Sequence, residues 1–226
     1  MKTVVIAGGS GVVGSRVVHN LLARDDVGRV VALGRRELAV QHDKLSSKIV
    51  DVQGAIAIAR EMPDDVALAF CCLGTTMKKA GSKEAFRAVD FDAVVAFGEA
   101  ARERGAQRFL LVSSIGADAT ARTFYLRTKG EAEDALAKLG FPQLVIVRPS
   151  FIDHEGKREE ERLGERVGLG LARVAFSIVG KTSRYAPITA DTIAKAMIRL
   201  AFDDRNSEPR RVIESEALHS LGGETT

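Results

Sequence analysis

The sequence is poor in the residues that build metal sites and disulfide cross-links. Its 226 residues include four histidines and two cysteines, and their spacing gathers no ligand set on one helical face, so no metal site is predicted. The two cysteines, Cys71 and Cys72, are neighbours at the end of an apolar run, where a mutual disulfide is geometrically awkward. We expect both to be buried as reduced thiols, which is consistent with a reducing compartment.

Long apolar runs and an excess of one charge are also missing. No uninterrupted apolar segment approaches the roughly 20 residues that span a bilayer, and no charged leader precedes the first apolar run. Charged residues make up 28% of the chain, but the net charge is only +3 and no basic stripe for nucleic acid is visible. We therefore expect a soluble, cytoplasmic protein that takes a small-molecule substrate and binds neither nucleic acid nor membrane.

Short apolar segments alternate with amphipathic stretches along the chain. Helical spacing is clearest at residues 86–104 and 129–139. Strands separated by such helices indicate βαβ units with right-handed crossovers, and hence an α/β fold with a doubly wound parallel sheet, the Rossmann fold. The predicted strands lie at 3–7, 29–33, 48–50, 65–71, 108–112 and 144–147.

One region interrupts this alternation, and we predict that it forms a small C-terminal cap, residues 151–186, within a single domain of residues 1–226. Residues 153–166 are crowded with charge, and residues 167–179 are apolar with scattered glycines. The segment is either a solvated helix followed by a packed one or a substrate-side cap, because ligand crevices form where the chain leaves the strand ends. Its apolar part could cover the core or contact a second copy, which leaves a homodimer open.

The first strand breaks into glycines and then resumes with helical spacing. This strand-turn-helix pattern predicts a site for a dinucleotide pyrophosphate, because free N–H groups at a helix start bind anions. Gly8 would form the turn, Gly11 would admit the phosphates close to the backbone, and Gly14 would let the helix pack against the strand. An ordinary tight connection is the alternative. The candidate cofactor-binding residues here are Gly8, Ser10, Gly11, Val12, Val13 and Gly14.

The end of the second strand indicates which dinucleotide is bound. The strand ends in Gly34-Arg35-Arg36, without the carboxylate that would accept hydrogen bonds from the ribose hydroxyls of NAD. A guanidinium offers several donors to a phosphate, so NADP(H) is favoured over NAD(H). The alternative is that Arg35 and Arg36 only solvate a loop. Asp51, just past the third strand, is placed to meet the adenine edge or to cap a turn.

Tyrosine is scarce, and one of the two tyrosines, Tyr125, is followed by Lys129 at helical spacing. One helical turn brings both side chains to the same face, where an ammonium would favour the phenolate and bring the pKa of the phenol toward neutrality. Ser113 and Ser114 close the fifth strand at the carboxyl edge of the sheet, where a hydroxyl could polarise a substrate carbonyl. A surface Tyr–Lys pair without a role is the alternative, but the motifs occur in the order that the fold requires.

Taken together, these motifs resemble the atypical short-chain dehydrogenases/reductases over nearly the whole chain. The most specific string is Phe70-Cys71-Cys72-Leu73-Gly74-Thr75-Thr76; the others are the glycine-rich turn, Leu33-Gly34-Arg35-Arg36, Ser113-Ser114-Ile115-Gly116-Ala117-Asp118 and Phe124-Tyr125-Leu126-Arg127-Thr128-Lys129-Gly130-Glu131.

The resemblance implies a role for each matching residue. Ser114 would be the catalytic serine, with Ser113 as a close competitor that also borders the cofactor. Tyr125 would donate or accept the proton, and Lys129 would lower the pKa of Tyr125 and hold the nicotinamide ribose. The resemblance further implies cofactor contacts from Leu73, Gly74 and Pro149, and a closing strand and helix at 187–194 with Thr189 as the cap.

The function implied is that of an NADPH-dependent oxidoreductase acting on a small carbonyl or enone compound. The alternative is a protein that binds NADPH and regulates a partner with little or no turnover, since some members of the family that the chain resembles are regarded as cofactor-bound regulators. A weaker third reading is an isomerase or epimerase that keeps its cofactor bound. The substrate-side cap contains no string that identifies the substrate.

Overall fold

A computed structural model describes residues 1–50, 55–153, 185–205 and 207–223, and all structural statements below concern those residues. Seven parallel strands form one sheet in the order β3-β2-β1-β4-β5-β6-β9, and two further strands, β7 and β8, pair with each other. The strands are β1 Lys2–Ala7, β2 Val27–Gly34, β3 Leu45–Ile49, β4 Val66–Cys71, β5 Arg108–Val112, β6 Gln143–Arg148, β7 Ile152–Asp153, β8 Ile188–Thr189 and β9 Arg210–Glu214.

Helices cover both faces of the sheet. A π-helical turn, Ala88–Asp92, joins two of them into one continuous run. The helices are α1 Val12–Leu22, α2 Ala55–Glu61, α3 Met77–Ala80, α4 Lys83–Arg87, α5 Ala93–Glu103, α6 Phe124–Lys138, α7 Ala190–Ala201 and α8 Ser215–Gly222.

The first strand shows why this sequence forms a covered parallel sheet. Val4 and Ile6 lie in a core formed with α1, α7 and α8, whereas Val5 and Ala7 lie in a second core formed with α2, α5 and α6. Because successive side chains of a strand point to opposite faces, a run without polar residues fits only a sheet that is buried on both sides. The predicted α/β fold with a doubly wound parallel sheet is confirmed.

Several element boundaries differ from the sequence prediction. The third strand begins three residues and ends one residue earlier than predicted, and the seventh strand of the sheet, β9, was not predicted. Helix α6 begins at Phe124 rather than near Lys129, so Tyr125 and Lys129 share its first two turns. The predicted cap at Thr189 is confirmed, since its hydroxyl accepts a hydrogen bond from Thr192 N–H. Most of the predicted cap segment, residues 154–184, lies outside the described residues.

The strand order places a crevice between β1 and β4. The chain winds from β1 toward β3 on one side and from β4 toward β9 on the other, and ligands of such sheets bind where the order reverses, beyond the carboxyl ends of the strands. All the candidate site residues that the structure describes follow the carboxyl ends of strands or lie on helices above them. Within the described part of the chain, no helix is both long and apolar enough to cross a membrane.

A buried arginine lies at the opposite end of the strands, where the amino ends of the parallel strands meet. Arg108, at the amino end of β5, is 8% exposed, and its guanidinium donates to the carbonyls of Leu200 and Asp203 at 3.1 and 3.2 Å and also to the carbonyl of Ala201. These carbonyls lie at the end of α7, where a helix has unpaired acceptors and a partial negative charge. Arg108 therefore fastens α7 to the centre of the sheet.

Candidate functional site

The turn after β1 lies against the loop after β4. Gly8 has φ +82°, and a Cβ built on it would lie 2.5 Å from the carbonyl carbon and oxygen of Cys72. The two segments are joined by a hydrogen bond from Cys72 N–H to Ala7 O at 2.8 Å. A side chain at position 8 would therefore force apart the two loops that flank the crevice.

The start of α1 presents backbone donors to this crevice. Gly11 is the N-cap without a side-chain hydrogen bond, and its own N–H donates to Gly8 O at 2.9 Å. The first N–H groups of a helix have no intrahelical partner, so those of Val12, Val13 and Gly14 are available to an anion. Val13 faces the core with 6% exposure, which limits it to a backbone contact.

Gly14 sets how closely α1 approaches the strand. A Cβ at this position would lie 2.1 Å from Gly8 O and 2.8 Å from Gly8 C, both of them backbone atoms. At Gly11 the corresponding distance to Gly8 O is 3.1 Å. The turn is thus a cradle whose shape depends on glycines, because side chains at positions 8 and 14 would meet backbone atoms.

A small open pocket adjoins the turn and is lined by only one of the two predicted arginines. Arg36 lines it and Arg35 does not, although both are exposed. Ser10, a predicted cofactor-binding residue, also lines the pocket. The sequence analysis did not assign the other lining residues to the cofactor; they are Gly9, Ala32, Leu33, Gly34, Leu38 and Ser47. Asp51, the predicted adenine contact, lies outside the described residues.

Leu73 and Gly74 lie on the loop after β4, close to two charged groups. A Cβ on Gly74 would lie 3.5 Å from both Asp90 Oδ1 and Lys129 Nζ. Beneath this loop, burial raises the pKa of the Cys71 thiol to about 12, despite a backbone hydrogen bond and the nearby Lys129 charge that lower it. Cys71 is buried as expected, whereas Cys72 is only half-buried; desolvation also raises the pKa of Cys72. Both thiols are therefore protonated at neutral pH, and neither provides a thiolate for chemistry.

Lys129 forms an ion pair with a carboxylate that the sequence analysis did not identify. Asp90, in the π-helical turn, is 0% exposed, and its Oδ1 lies 2.8 Å from Lys129 Nζ while its Oδ2 accepts the Thr75 N–H at 2.8 Å. Burial lowers the pKa of Lys129, but the charges of Asp90 and Tyr125 together raise it above its ordinary value. Lys129 is therefore a fixed ammonium.

Tyr125 lies in the first turn of α6, four residues before Lys129. Its ring is half-buried and packs against Phe86, with 5.4 Å between the ring centroids. Tyr125 is also close enough to Lys129 to influence its titration. The structure thus brings together the phenol and the ammonium that the sequence spacing predicted.

The two serines after β5 differ in their partners. Ser113 is 5% exposed and donates its hydroxyl proton to buried Glu133, which also accepts from Arg148 Nε at 3.0 Å. The hydrogen bonds to Glu133 outweigh partial burial and raise the pKa of Arg148, whose Nη1 also donates to Glu214 at 3.2 Å. Ser113 is therefore committed to a network of internal charges.

Ser114 is less engaged than Ser113. It is half-exposed, and among the described residues its hydroxyl makes only a long 3.4 Å contact, to Ile115 O. Pro149 lies beside it, because the Pro149 carbonyl accepts the Ile115 N–H at 3.0 Å. The loops after β5 and β6 are thereby joined, and the geometry separates the two serines that the sequence left as competitors.

Comparison with known proteins identifies a family model and relatives that match most of the chain. A family model described as NAD(P)H-binding matches residues 8–204. The chain is 32% identical to protein HTATIP2 of Rattus norvegicus over 98% of this chain and 89% of the relative. It is 35% identical to the mitochondrial protein FMP52 of Coccidioides immitis over 73% of this chain and 71% of that protein.

Solved structures with the same fold have more distant sequences. MoeE5 in complex with UDP-glucose and NAD gives a TM-score of 0.67 at 16% identity, covering 99% of this chain and 82% of that one. A short-chain dehydrogenase/reductase superfamily protein of Agrobacterium tumefaciens with bound NAD gives 0.68 at 13% identity, covering 94% and 77%. At these identities the likeness concerns the fold alone.

Proposed function

We propose that this chain, which belongs to the NAD(P)H-binding family of atypical short-chain dehydrogenases/reductases, is an oxidoreductase that uses NADPH to reduce a small carbonyl or enone compound. The observation that carries this proposal is the placing of Tyr125, Lys129 and a half-exposed Ser114 at the same sheet edge as the glycine cradle. Its location in the cytoplasm stays a prediction, and the curated FMP52 relatives are named as mitochondrial.

The residues of the chain divide the work of binding. The N–H groups at the start of α1 would hold the diphosphate, and Arg36 would pair with a 2′-phosphate in the adjoining pocket. The loop containing Leu73 and Gly74 would line the cofactor through its backbone, and Pro149 would border the nicotinamide. When bound, NADPH supplies the hydride that reduces the substrate carbon.

The chemical step then needs one proton and a polarised oxygen. Ser114 would donate a hydrogen bond to the carbonyl oxygen, and Tyr125 would give its hydroxyl proton to the same oxygen as negative charge develops there. Lys129 would stabilise the resulting phenolate and bind the ribose. A proton from solvent would then restore the phenol for the next turnover.

Calorimetric titration with NADPH and NADH, followed by NADPH oxidation against a panel of aldehydes, ketones and enones, tests this proposal. We expect saturable binding, tighter for NADPH, and turnover of at least one compound. If neither dinucleotide binds, the proposal is wrong. Tight NADPH binding without turnover of any compound would instead favour a regulatory protein that uses the same cofactor site.

Replacing Arg36 with alanine is expected to weaken NADPH binding by about 10- to 100-fold and to leave NADH binding unchanged. A hydrogen bond to a charged group contributes about 1.5–3 kcal/mol, and Arg36 lines the pocket beside the turn. Calorimetry with both dinucleotides measures the effect. Arg35→Ala is the matched control, because Arg35 is equally exposed but lies outside the pocket. A larger loss with Arg35→Ala would place the 2′-phosphate elsewhere.

Substitutions of the two serines are expected to have different effects, one on activity and the other on stability. Ser114→Ala is expected to lower kcat by about 10- to 100-fold with unchanged unfolding, because its hydroxyl has no strong internal partner among the described residues. Ser113→Ala should instead lower the free energy of unfolding by about 1–3 kcal/mol, since buried Glu133 loses a donor. Steady-state kinetics and thermal unfolding of both variants measure this. The reverse pattern would make Ser113 the catalytic hydroxyl.

A further inference from the structure

We propose that Asp90 is a positioning residue for Tyr125: it holds the Lys129 ammonium and the loop after β4 in one place, and it offsets the charge that Lys129 presents to the phenol. Asp90 would thereby favour the protonated, proton-donating form of Tyr125. This inference rests on the proposed reductase function, but its test requires neither cofactor nor substrate.

The two oxygens of Asp90 have different partners: Oδ2 accepts a backbone hydrogen bond, whereas Oδ1 contacts the Lys129 ammonium as an ion pair without hydrogen-bond geometry. One lies 2.8 Å from Lys129 Nζ, and the other accepts the Thr75 N–H at 2.8 Å. Asp90 is 0% exposed and Lys129 6% exposed. Two charges this deeply buried are stable only when they remain paired, so neither side chain can move away alone without a large cost in free energy.

The backbone around Asp90 is irregular where the carboxylate points inward. Residues 88–92 form a π-helical turn between α4 and α5, and such turns inside helices often occur at functional sites. In the same turn Asp92 is exposed. Two apolar side chains in the place of Asp90 and Lys129 would avoid the desolvation of both charges, so stability alone gives no reason for an ion pair here.

The electrostatic consequence concerns the proton of Tyr125. A nearby ammonium favours the phenolate, whereas a carboxylate on the far side of that ammonium opposes it. The pKa of Lys129 is raised by Asp90 and Tyr125 against the effect of burial. The stabilisation that the ion pair provides is therefore complete below the ordinary lysine pKa and is lost as pH rises through the raised value.

Several other charged groups lie on the elements packed around Tyr125. Glu131 is paired with Arg87 and lies 4.0 Å from Arg127, and Lys83 Nζ lies 5.6 Å from the ring of Phe124. The charged and titratable groups on the elements packed here include Lys129, Glu131, Glu133, Arg127, Asp134 and Lys138 on α6, Lys83, Glu84 and Arg87 on α4, Asp90 and Asp92 on the π-helical turn, Cys71 on β4 and Asp118 after β5. Among these, Asp90 is the carboxylate in direct contact with Lys129.

The composition of the chain makes the proton of Tyr125 directly measurable. There is no tryptophan and there are two tyrosines, so Tyr185→Phe leaves Tyr125 as the single phenol. The rise of tyrosinate absorbance in the near ultraviolet then reports its ionisation, and circular dichroism at each pH verifies that the helices remain folded.

In the Tyr185→Phe background, Asp90→Asn is expected to lower the midpoint of tyrosinate formation by about one pH unit or more, because a neighbouring charge shifts a titration by about 1–3 units. Asp92→Asn is the matched control, an exposed carboxylate of the same π-helical turn, and should move the midpoint by no more than about 0.2 units because solvent screens it. A midpoint that stays unchanged or rises in Asp90→Asn overturns the proposal.

A second variant decides the question if Asp90→Asn fails to fold. Asp90→Leu combined with Lys129→Met removes both charges, and an apolar pair often replaces a buried ion pair without loss of stability. If Asp90 offsets Lys129, this double variant keeps the midpoint within about 0.5 units of the parent; an uncompensated lysine would give a rise of about one unit or more, which contradicts the proposal. Failure here concerns Asp90 alone, whereas absent NADPH binding or turnover concerns the proposed function.

Discussion

Gly14→Ala is expected to abolish dinucleotide binding and to lower the free energy of unfolding by about 3 kcal/mol or more. The added methyl carbon would lie 2.1 Å from Gly8 O, a backbone atom that cannot move without opening the turn. Overpacking of this kind costs about 1–3 kcal/mol in ordinary cores and more where the obstacle is backbone. Because Gly8 also lies against Cys72, the displacement would reach the loop after β4.

Calorimetry with NADPH and chemical denaturation measure the two effects of Gly14→Ala. Gly9→Ala is the matched control within the same turn, because its Cβ would meet only side-chain atoms of Leu38 and Val18 at 3.4 Å. We expect Gly9→Ala to retain NADPH binding within about threefold, since flexible side chains can adjust to such a contact. Unchanged binding and stability in Gly14→Ala would show that the close approach of α1 to the strand is not needed.

Tyr125→Phe is expected to lower kcat by about 100- to 10,000-fold, the usual contribution of a positioned general acid. The ring would still pack against Phe86, so the fold and the NADPH affinity should change little. Steady-state kinetics on a compound identified in the carbonyl panel measures the loss, with thermal unfolding and NADPH titration as controls for the fold. A variant that keeps more than about a tenth of the parent kcat would rule out Tyr125 as the proton donor.

Strand β5 and the order of the motifs were predictable from the sequence because their signals are local. Residues 108–112 are mostly apolar and show no helical periodicity, and the structure gives β5 the same bounds. The third strand was misplaced because its residues Leu45–Ile49 include two serines and a lysine and are only partly buried. The strand β9 was missed because it begins with two arginines at the edge of the sheet.

The site residues that the sequence analysis missed depend on contacts between distant segments. Asp90 looks like a solvated carboxylate in a helical stretch, and its partner Lys129 follows 39 residues later on another helix. Its inward direction depends on a π-helical turn, which the periodic pattern does not reveal. A carboxylate among apolar neighbours, Val89 and Phe91, was the available signal. The choice between Ser113 and Ser114 likewise required the position of Glu133.

The two ends of strand β5 have different roles in this molecule, one in stability and one in function. At one end Arg108 holds the last carbonyls of α7, and at the other the chain runs directly into Ser113 and Ser114. A substitution at Arg108 would lower the stability of the fold, whereas a substitution at Ser114 would change the rate of the reaction. Substitutions at the carboxyl ends of the strands can thus change the substrate during evolution, while the contacts at the amino ends keep the fold intact.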